Sequence, residues 1–424
     1  MVDQLKKLSP DFKKILKASS TLAYKMDCKI YLVGGVVRDL ILGRKVFDLD
    51  IVVEKDAIAF ARTLADCLKT EFNKHHAFGT ATVCYNGHKI DFATARVEKY
   101  SHWGALPKVM PATLASDLFR RDFTINAMAI SLNKNDYGKI IDLYNGLHDL
   151  RKGVLRILHQ KSFLDDPTRI LRAIRFEQRF GFKIEEHTFS LMKEAIAANA
   201  LKFVNPHRLR DEIILILKEN KPYRYIKRIK ELKSFYFLDS KLNLNKRAFR
   251  LFLRLEQTIS YYQRKFRKHR VLEEWLMYLA GILIKLPGEK VCNILHDFGF
   301  KKGERSIVNS IKKGIFRIKW LDKPTKPHFI YQVLNPYSYE AILFFYAYHT
   351  QKRLRKNIEC FLQTLVDIRL KIRGEDLKNL EFKPFTLYSK LLDRLLYAKI
   401  DKGFKNKEQE IKEAKNIFKQ MVKQ

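Results

Sequence analysis

A β-rich run, Lys29-Ile30-Tyr31-Leu32-Val33, ends in Gly34-Gly35, and Val36-Val37-Arg38-Asp39 then opens a helix. A strand that turns on glycine into a helix brings free backbone N–H groups to one end of a sheet. The chain around it follows suit. Phe47 to Val53 alternates and then turns apolar, as a half-buried strand does. Residues 56–70 repeat with a helical period, and residues 80–95 read as two strands around the turn pair Asn86-Gly87. From about residue 110 the β signal fades. Residues 166–199, 207–219, 222–233, 246–263, 271–285, 338–349 and 353–371 read as helices, punctuated by Pro206, Pro222, Pro287-Gly288, Pro324 and Pro336. The expected class is α+β: an N-terminal α/β domain with a mixed sheet, followed by a long all-α region without internal repeats.

The 424 residues suffice for two or three domains, and 46% hydrophobic with 30% charged residues is globular composition. No apolar run approaches the roughly 20 residues of a spanning helix, and the N-terminal residues lack an apolar signal core, so neither membrane insertion nor export is expected. Cys28, Cys67, Cys84, Cys292 and Cys360 are scattered and odd in number, without Cys-x-x-Cys. That pattern fits a reducing cytoplasm rather than a disulfide framework or structural zinc.

Charge points to the partner. The net charge is +36, and residues 201–424 carry 50 Lys+Arg against 23 Asp+Glu, three quarters of the excess. Basic clusters stand at Lys221–Lys230, at Arg264, Lys265, Arg267, Lys268 and Arg270, and at Lys352–Lys356, with tyrosines and phenylalanines among them. Any one cluster reads equally well as a solvated helix face. The summed excess is better explained by contact with a phosphate backbone.

Three constellations carry chemistry. Asp48-Leu49-Asp50 heads a strand, so its two carboxylates share a face, about 6–7 Å apart at Cα. Like charges at that spacing repel, and a pair of divalent cations would relieve them and form a clamp for phosphoryl transfer. Asp91, on a neighbouring strand, would add a third acid. Two exposed aspartates at a strand start are the plain alternative. Arg120-Arg121-Asp122-Phe123-Thr124-Ile125-Asn126, read as a helix start, could hold a triphosphate through arginine and ribose hydroxyls through Asp122 and Asn126. Helix capping by Asp122 is the alternative there. Asp165-Asp166-Pro167-Thr168-Arg169 opens a helix that continues to Arg172 and Arg175. Asp166 and Arg169 share its face, which also suits an i, i+3 salt bridge.

In this order and spacing, Gly34-Gly35-x-Val37-Arg38-Asp39, Asp48-x-Asp50, Arg120-Arg121-Asp122-Phe123-x-x-Asn126-Ala127 and Asp165-Asp166-x-x-Arg169-x-x-Arg172-Ala173-x-Arg175-Phe176 resemble the class II tRNA nucleotidyltransferases. These are the CCA-adding enzymes with their A-adding, CC-adding and poly(A) polymerase relatives. The likeness covers residues 28–215. Asp142-x-x-x-Gly146 resembles the family's hinge-like motif, and Asn205-Pro206-His207-Arg208-Leu209-x-x-Glu212 its last neck motif.

The resemblance implies a nucleotidyltransferase head over residues 1–150 and a helical neck with the base-recognition motif over 151–220. An RNA-binding helical body over 221–370 and a tRNA-binding tail over 371–424 would follow. It implies two Mg²⁺ at Asp48 and Asp50, with Asp91 where relatives often carry glutamate. It implies triphosphate near Gly34, Gly35 and Arg38, nucleotide contacts by Arg121, Asp122, Asn126, Arg172 and Arg175, and base selection by Asp166 and Arg169. The implied substrates are ATP, with CTP as a second, and the tRNA 3′ end and acceptor/T arm. Two departures stand out: His207-Arg208 where a Glu-Arg pair is common, and Pro384-Phe385-Thr386 where many members have Pro-Gly-Pro. The loop Gly104-Ala105-Leu106-Pro107-x-Val109 resembles the A-adding branch. Full CCA addition, A-only or CC-only addition and poly(A) synthesis remain open, as does a non-catalytic RNA-binding protein. A metal-dependent phosphohydrolase is disfavoured because no His-Asp metal pair is present.

Overall fold

The computed structural model describes residues 3–75, 79–266, 270–380, 382–383 and 385–422. Arg267 and Lys268 of the second basic cluster and Pro384 of the tail motif lie outside the described residues. The chain forms two compact units, one of Met1–Asn220 with Arg224–Lys241 and one of Lys221–Tyr223 with Leu242–Gln424.

The first unit is built on strands β1 (Lys29–Val33), β2 (Leu49–Glu54), β3 (Glu71–His75), β4 (Thr80–Tyr85), β5 (His88–Thr94), β6 (Arg96–Lys99), β7 (Lys108–Pro111), β8 (Met128–Ser131) and β9 (Ile140–Asp142). Seven of them form one mixed sheet in the order β3-β4-β5-β2-β1-β8-β9. Only β2 and β5 run parallel within it; the other neighbours are antiparallel. Asn86 and Gly87 both have positive φ and close the β4–β5 hairpin between Tyr85 and His88, as their sequence demands.

Helices α1 (Asp3–Lys6), α2 (Pro10–Lys25), α3 (Gly35–Ile41) and α4 (Ala57–Leu68) belong to this unit. The Asp56 carboxylate accepts from the amides of Ile58 and Ala59 at the start of α4. Phe60, Ala61, Leu64 and Ala65 then turn one buried face onto β4 and β5. Six further helices are α5 (Leu114–Phe119), α6 (Gly146–Lys152), α7 (Ser162–Asp165), α8 (Thr168–Phe180), α9 (Glu186–Ala197) and α10 (Pro206–Leu217).

The structure corrects two sequence expectations. The stretch after Arg120-Arg121 does not start a helix. A single 3₁₀ turn, Thr124–Asn126, leads directly into β8, which pairs with β1 inside the sheet. All four β8 residues are buried, so the run shows no alternation, and periodicity cannot separate such a strand from a helix. The helix expected over 166–199 is instead two, α8 and α9, broken at Gly181, whose φ of +70° places it in the left-handed region.

The second unit is helical from Lys246 onward. Its main apolar core draws on Leu251, Phe252 and Leu255, on Trp275–Leu283, and on Ala341–Phe345, all buried. A separate cluster of Ile372, Leu377, Leu391, Leu395, Ala414 and Ile417 forms nearer the C-terminus. The fully buried Glu410 ties it together: its carboxylate accepts from the amides of Lys371 and Ile372 and from Lys399 Nζ at 2.6 Å. Among the described residues, no helix is long and apolar enough to cross a membrane.

Candidate active site

A cleft of about 640 Å³ in the first unit collects most of the residues singled out from sequence: Gly34, Gly35, Arg38, Asp50, Arg121, Asp122, Asn126, Asp166, Arg169, Arg172 and Arg175 all line it. Asp50 also lines an adjoining recess over the sheet, where Asp91 sits. Asp48 lines neither.

Gly34, at φ +75°, makes the turn from β1 into α3. A Cβ built there would stand 2.7 Å from Arg121 Nη1, so glycine is required both for the backbone conformation and for the approach of that guanidinium. Arg121 is held from behind by Asp117, at 2.8 Å from Nη2. Asp117 is fully buried and also takes two bonds from Arg120. Burial alone would raise its pKa, but Arg121 and Arg120 outweigh it and hold the carboxyl below its ordinary value. Glu98 completes the network, accepting from Arg120 Nη1 at 2.9 Å and from the Tyr100 hydroxyl at 2.7 Å.

The 3₁₀ turn fixes a second network. Asp122 accepts from Asn126 Nδ2 at 2.8 Å and from Arg172 Nε and Nη2 at 2.9 and 2.6 Å. Its burial works against the charged form, yet Arg172 and Asn126 prevail and bring its pKa to about 2. Asn126 in turn accepts from Arg38 Nη1 at 2.5 Å, and Arg38 also pairs with Asp39. Arg172 and Arg175 both reach Glu212, at 3.1 and 3.4 Å. Asp122, Asn126, Arg172 and Arg175 thus form one connected framework along the cleft wall, with much of their hydrogen bonding spent inside the protein.

Asp166 and Arg169 share the cleft, but their side chains do not pair with each other. Asp166 Oδ1 accepts from the amide and hydroxyl of Thr168, and Oδ2 accepts from Arg208 Nη2 at 2.8 Å. Arg169 donates to Ser162 Oγ at 2.5 Å and to the Arg120 carbonyl at 2.7 Å. The i, i+3 salt bridge that sequence allowed is therefore absent. The carboxylate and the guanidinium are each fixed by other partners, one as acceptor and one as donor.

Asp50 and Asp91 are register partners on the parallel pair β2–β5. Burial in the cleft raises the Asp50 pKa, Asp91 raises it further, Arg121 opposes, and Asp48 adds a smaller push upward. The carboxylate reaches solvent through the cleft mouth, but the walls remove much of its hydration. Among the described residues, no donor hydrogen-bonds Asp48 or Asp50, whereas Asp91 accepts from the Thr82 hydroxyl at 2.6 Å. No three acidic, histidine or cysteine side chains among the described residues converge as a ready-made metal cage. The donor set still fits a hard divalent cation: carboxylates without hydrogen-bond donors, one with a raised pKa, beside a cleft open to phosphate oxygens.

Arg208, Glu212, Glu98, Tyr100 and Asp117 were not among the site residues expected from sequence. Arg208 and Glu212 stand in a motif that was visible; Glu98 and Asp117 carry no local signal, because their roles come from contacts made across the fold.

Residues 30–156 match the family model described as "Poly A polymerase head domain", and residues 181–238 the model described as "Probable RNA and SrmB- binding site of polymerase A". The A-adding tRNA nucleotidyltransferase of Geobacter sulfurreducens is 33% identical over 390 residues, 89% of this chain and 44% of that protein. The A-adding tRNA nucleotidyltransferase of Halalkalibacterium halodurans is 31% identical over 418 residues, covering 97% of this chain and 94% of that protein. This chain therefore spans less than half the length of the Geobacter relative and nearly all of the Halalkalibacterium one. The solved structure of the Thermotoga maritima CCA-adding enzyme complexed with tRNA-CCA superposes with a TM-score of 0.76 at 31% identity, covering 97% of this chain and 96% of that one.

Proposed function

The chain belongs to the class II tRNA nucleotidyltransferase family, and from that premise we propose that it is a template-independent tRNA nucleotidyltransferase that builds or repairs the tRNA 3′-CCA end. The supporting observation is one cleft that holds Asp50 and Arg121 beside the Gly34 turn and, on another wall, a separately anchored acceptor and donor, Asp166 and Arg169.

The substrates in this reading are ATP, and CTP where the enzyme adds more than the terminal A. The RNA 3′-hydroxyl attacks the α-phosphorus, the bond to the bridging oxygen breaks, and pyrophosphate leaves. The backbone at Gly34-Gly35, with Arg38 and Arg121, receives the triphosphate. Asp122 and Asn126, braced by Arg172 and Arg175, position the sugar. Asp166 accepts from the exocyclic amino group of adenine or cytosine while Arg169 donates to the adjacent ring nitrogen. Guanine and uracil present the reverse pattern and would leave both groups unpaired. Two Mg²⁺ would be held by Asp48 and Asp50, with Asp91 alongside; when bound, such ions activate a hydroxyl and neutralise a leaving pyrophosphate.

Residues 1–150 serve as head, 151–220 as neck, 221–370 as body and 371–424 as tail, with tRNA gripped through phosphate and shape contacts of the basic helical region. Five free thiols suit the cytoplasm. Within the family, A-only addition is favoured by the names of the Geobacter and Halalkalibacterium relatives and by the Gly104–Val109 loop.

The test is incubation of the purified protein with tRNA ending before C, after C and after CC, with each labelled triphosphate. Incorporation of A onto the CC end is expected. CMP incorporation onto the shorter ends marks full CCA addition, and no incorporation on any end overturns the reading.

A further inference from the structure

Beside the cleft lies a second recess of about 430 Å³ that shares Glu98, Tyr100, Arg120 and Arg169 with it. Its distinctive wall is aromatic. Phe119, the last residue of α5, is 45% exposed although it follows the fully buried Leu118. Its ring lies 5.7 Å from that of Tyr144 and 5.4 Å from that of His159, tilted by 44° and 36°. Tyr144 is fixed by its hydroxyl, which donates to the Ala115 carbonyl at 3.0 Å. His159 is partly buried, and burial together with repulsion from Arg169 lowers its pKa against the pull of Asp165, which keeps the ring neutral near neutral pH.

The two arginines at the rim are already engaged, and Asp165 adds a negative charge to the lining. Arg120 is neutralised by Glu98 and Asp117, and Arg169 is bonded to Ser162 and to a backbone carbonyl. The recess is thus poor as an anion site and well suited to a flat, polar-edged π system. Its continuity with the cleft selects which one, because the chain that must enter beside the incoming nucleotide is the RNA 3′ end.

We propose that this recess takes an unpaired nucleobase from the last three nucleotides of the RNA, stacked on Phe119 between Tyr144 and His159. The site rests on the function proposed above and extends it from the incoming nucleotide to the acceptor strand. Stacking accepts any base, so the recess holds the acceptor end without reading it.

The test uses the full chain and tRNA ending in CC, with 2-aminopurine placed in turn at each of the last three positions. Binding of the wild-type protein should change the fluorescence strongly at one position. Phe119→Leu should remove most of that change and weaken tRNA affinity about fivefold or more, with the KM for ATP within twofold of wild type. Ser116→Trp, which fills the recess from its rim, should displace the same base, and circular dichroism confirms that each variant is folded. Equal fluorescence changes in wild type and both folded variants, or none at any position, overturn the proposal. So does a rise in the KM for ATP with tRNA affinity unchanged. The signal reports binding alone, so stacking without nucleotide transfer would count against the proposed reaction and not against the recess.

Discussion

Asp50 and Asp91 occupy register-paired positions on the parallel strands β2 and β5, so their side chains leave the same face of the sheet from neighbouring strands spaced about 4.8 Å apart. Burial, and after it the nearby Asp91, hold the Asp50 pKa above its ordinary value. A carboxyl with a raised pKa loses folded-state stability when it ionises. The metal-free protein should therefore gain stability from this group as pH falls through its folded pKa. Asp50→Asn should raise the melting temperature in EDTA at neutral pH and abolish the stabilisation by Mg²⁺. Nucleotide transfer should fall at least about a hundredfold while tRNA binding persists. Differential scanning fluorimetry with and without Mg²⁺ reads the first two effects; a variant that Mg²⁺ stabilises as it does wild type would contradict them.

Asp122 has the opposite sign. Its pKa is brought to about 2, so its contribution is complete above the ordinary carboxylate range and is lost as pH falls through that value. The shift corresponds to about 2 kcal/mol. Asp122→Asn should lower stability by a similar amount at pH 7 and flatten the acid limb of the pH–stability curve between about pH 4 and pH 2. Urea unfolding across that range checks it.

Gly34 tests the turn. Alanine there meets both a φ of +75° and Arg121 Nη1 at 2.7 Å. Gly34→Ala should cost about 1 kcal/mol in stability and, by displacing Arg121, reduce transfer by up to about a hundredfold. A variant with wild-type transfer would show that the guanidinium has no set position in the reaction.

The strand–glycine–helix entry, the Asn86-Gly87 hairpin and the placing of Asp50 beside Asp91 were legible because each follows from residues near in sequence and from strand geometry. β8 was not, since a strand buried on both faces carries no period. Nor was the choice of partners around the base-reading pair. Arg208 lies 42 residues from Asp166, and the carbonyl that anchors Arg169 belongs to Arg120, 49 residues away. A helical wheel sees only i, i+3 and i, i+4 neighbours, and so offered a salt bridge that tertiary contacts replaced.

The charge of the helical region predicts steep salt dependence. With 50 Lys+Arg against 23 Asp+Glu over residues 201–424, tRNA binding should release several counterions. The logarithm of affinity should fall linearly with the logarithm of salt between about 50 and 200 mM. ATP affinity should change far less. A flat tRNA plot would remove the basic region as the grip.

Base selection by protein side chains is the central claim, and the ratio of transfer efficiencies for ATP over UTP on tRNA ending in CC measures it most directly. Asp166 offers the only carboxylate of the pair, so Asp166→Ala removes both the attraction for the adenine amino group and the repulsion of a uracil carbonyl. The ratio should fall about tenfold or more, with Arg169→Ala slowing ATP use while favouring UTP less. An unchanged ratio in Asp166→Ala, with the fold intact by circular dichroism, would return Asp166 to a purely structural part, bonding Thr168 and Arg208 at the start of α8, and contradict the account.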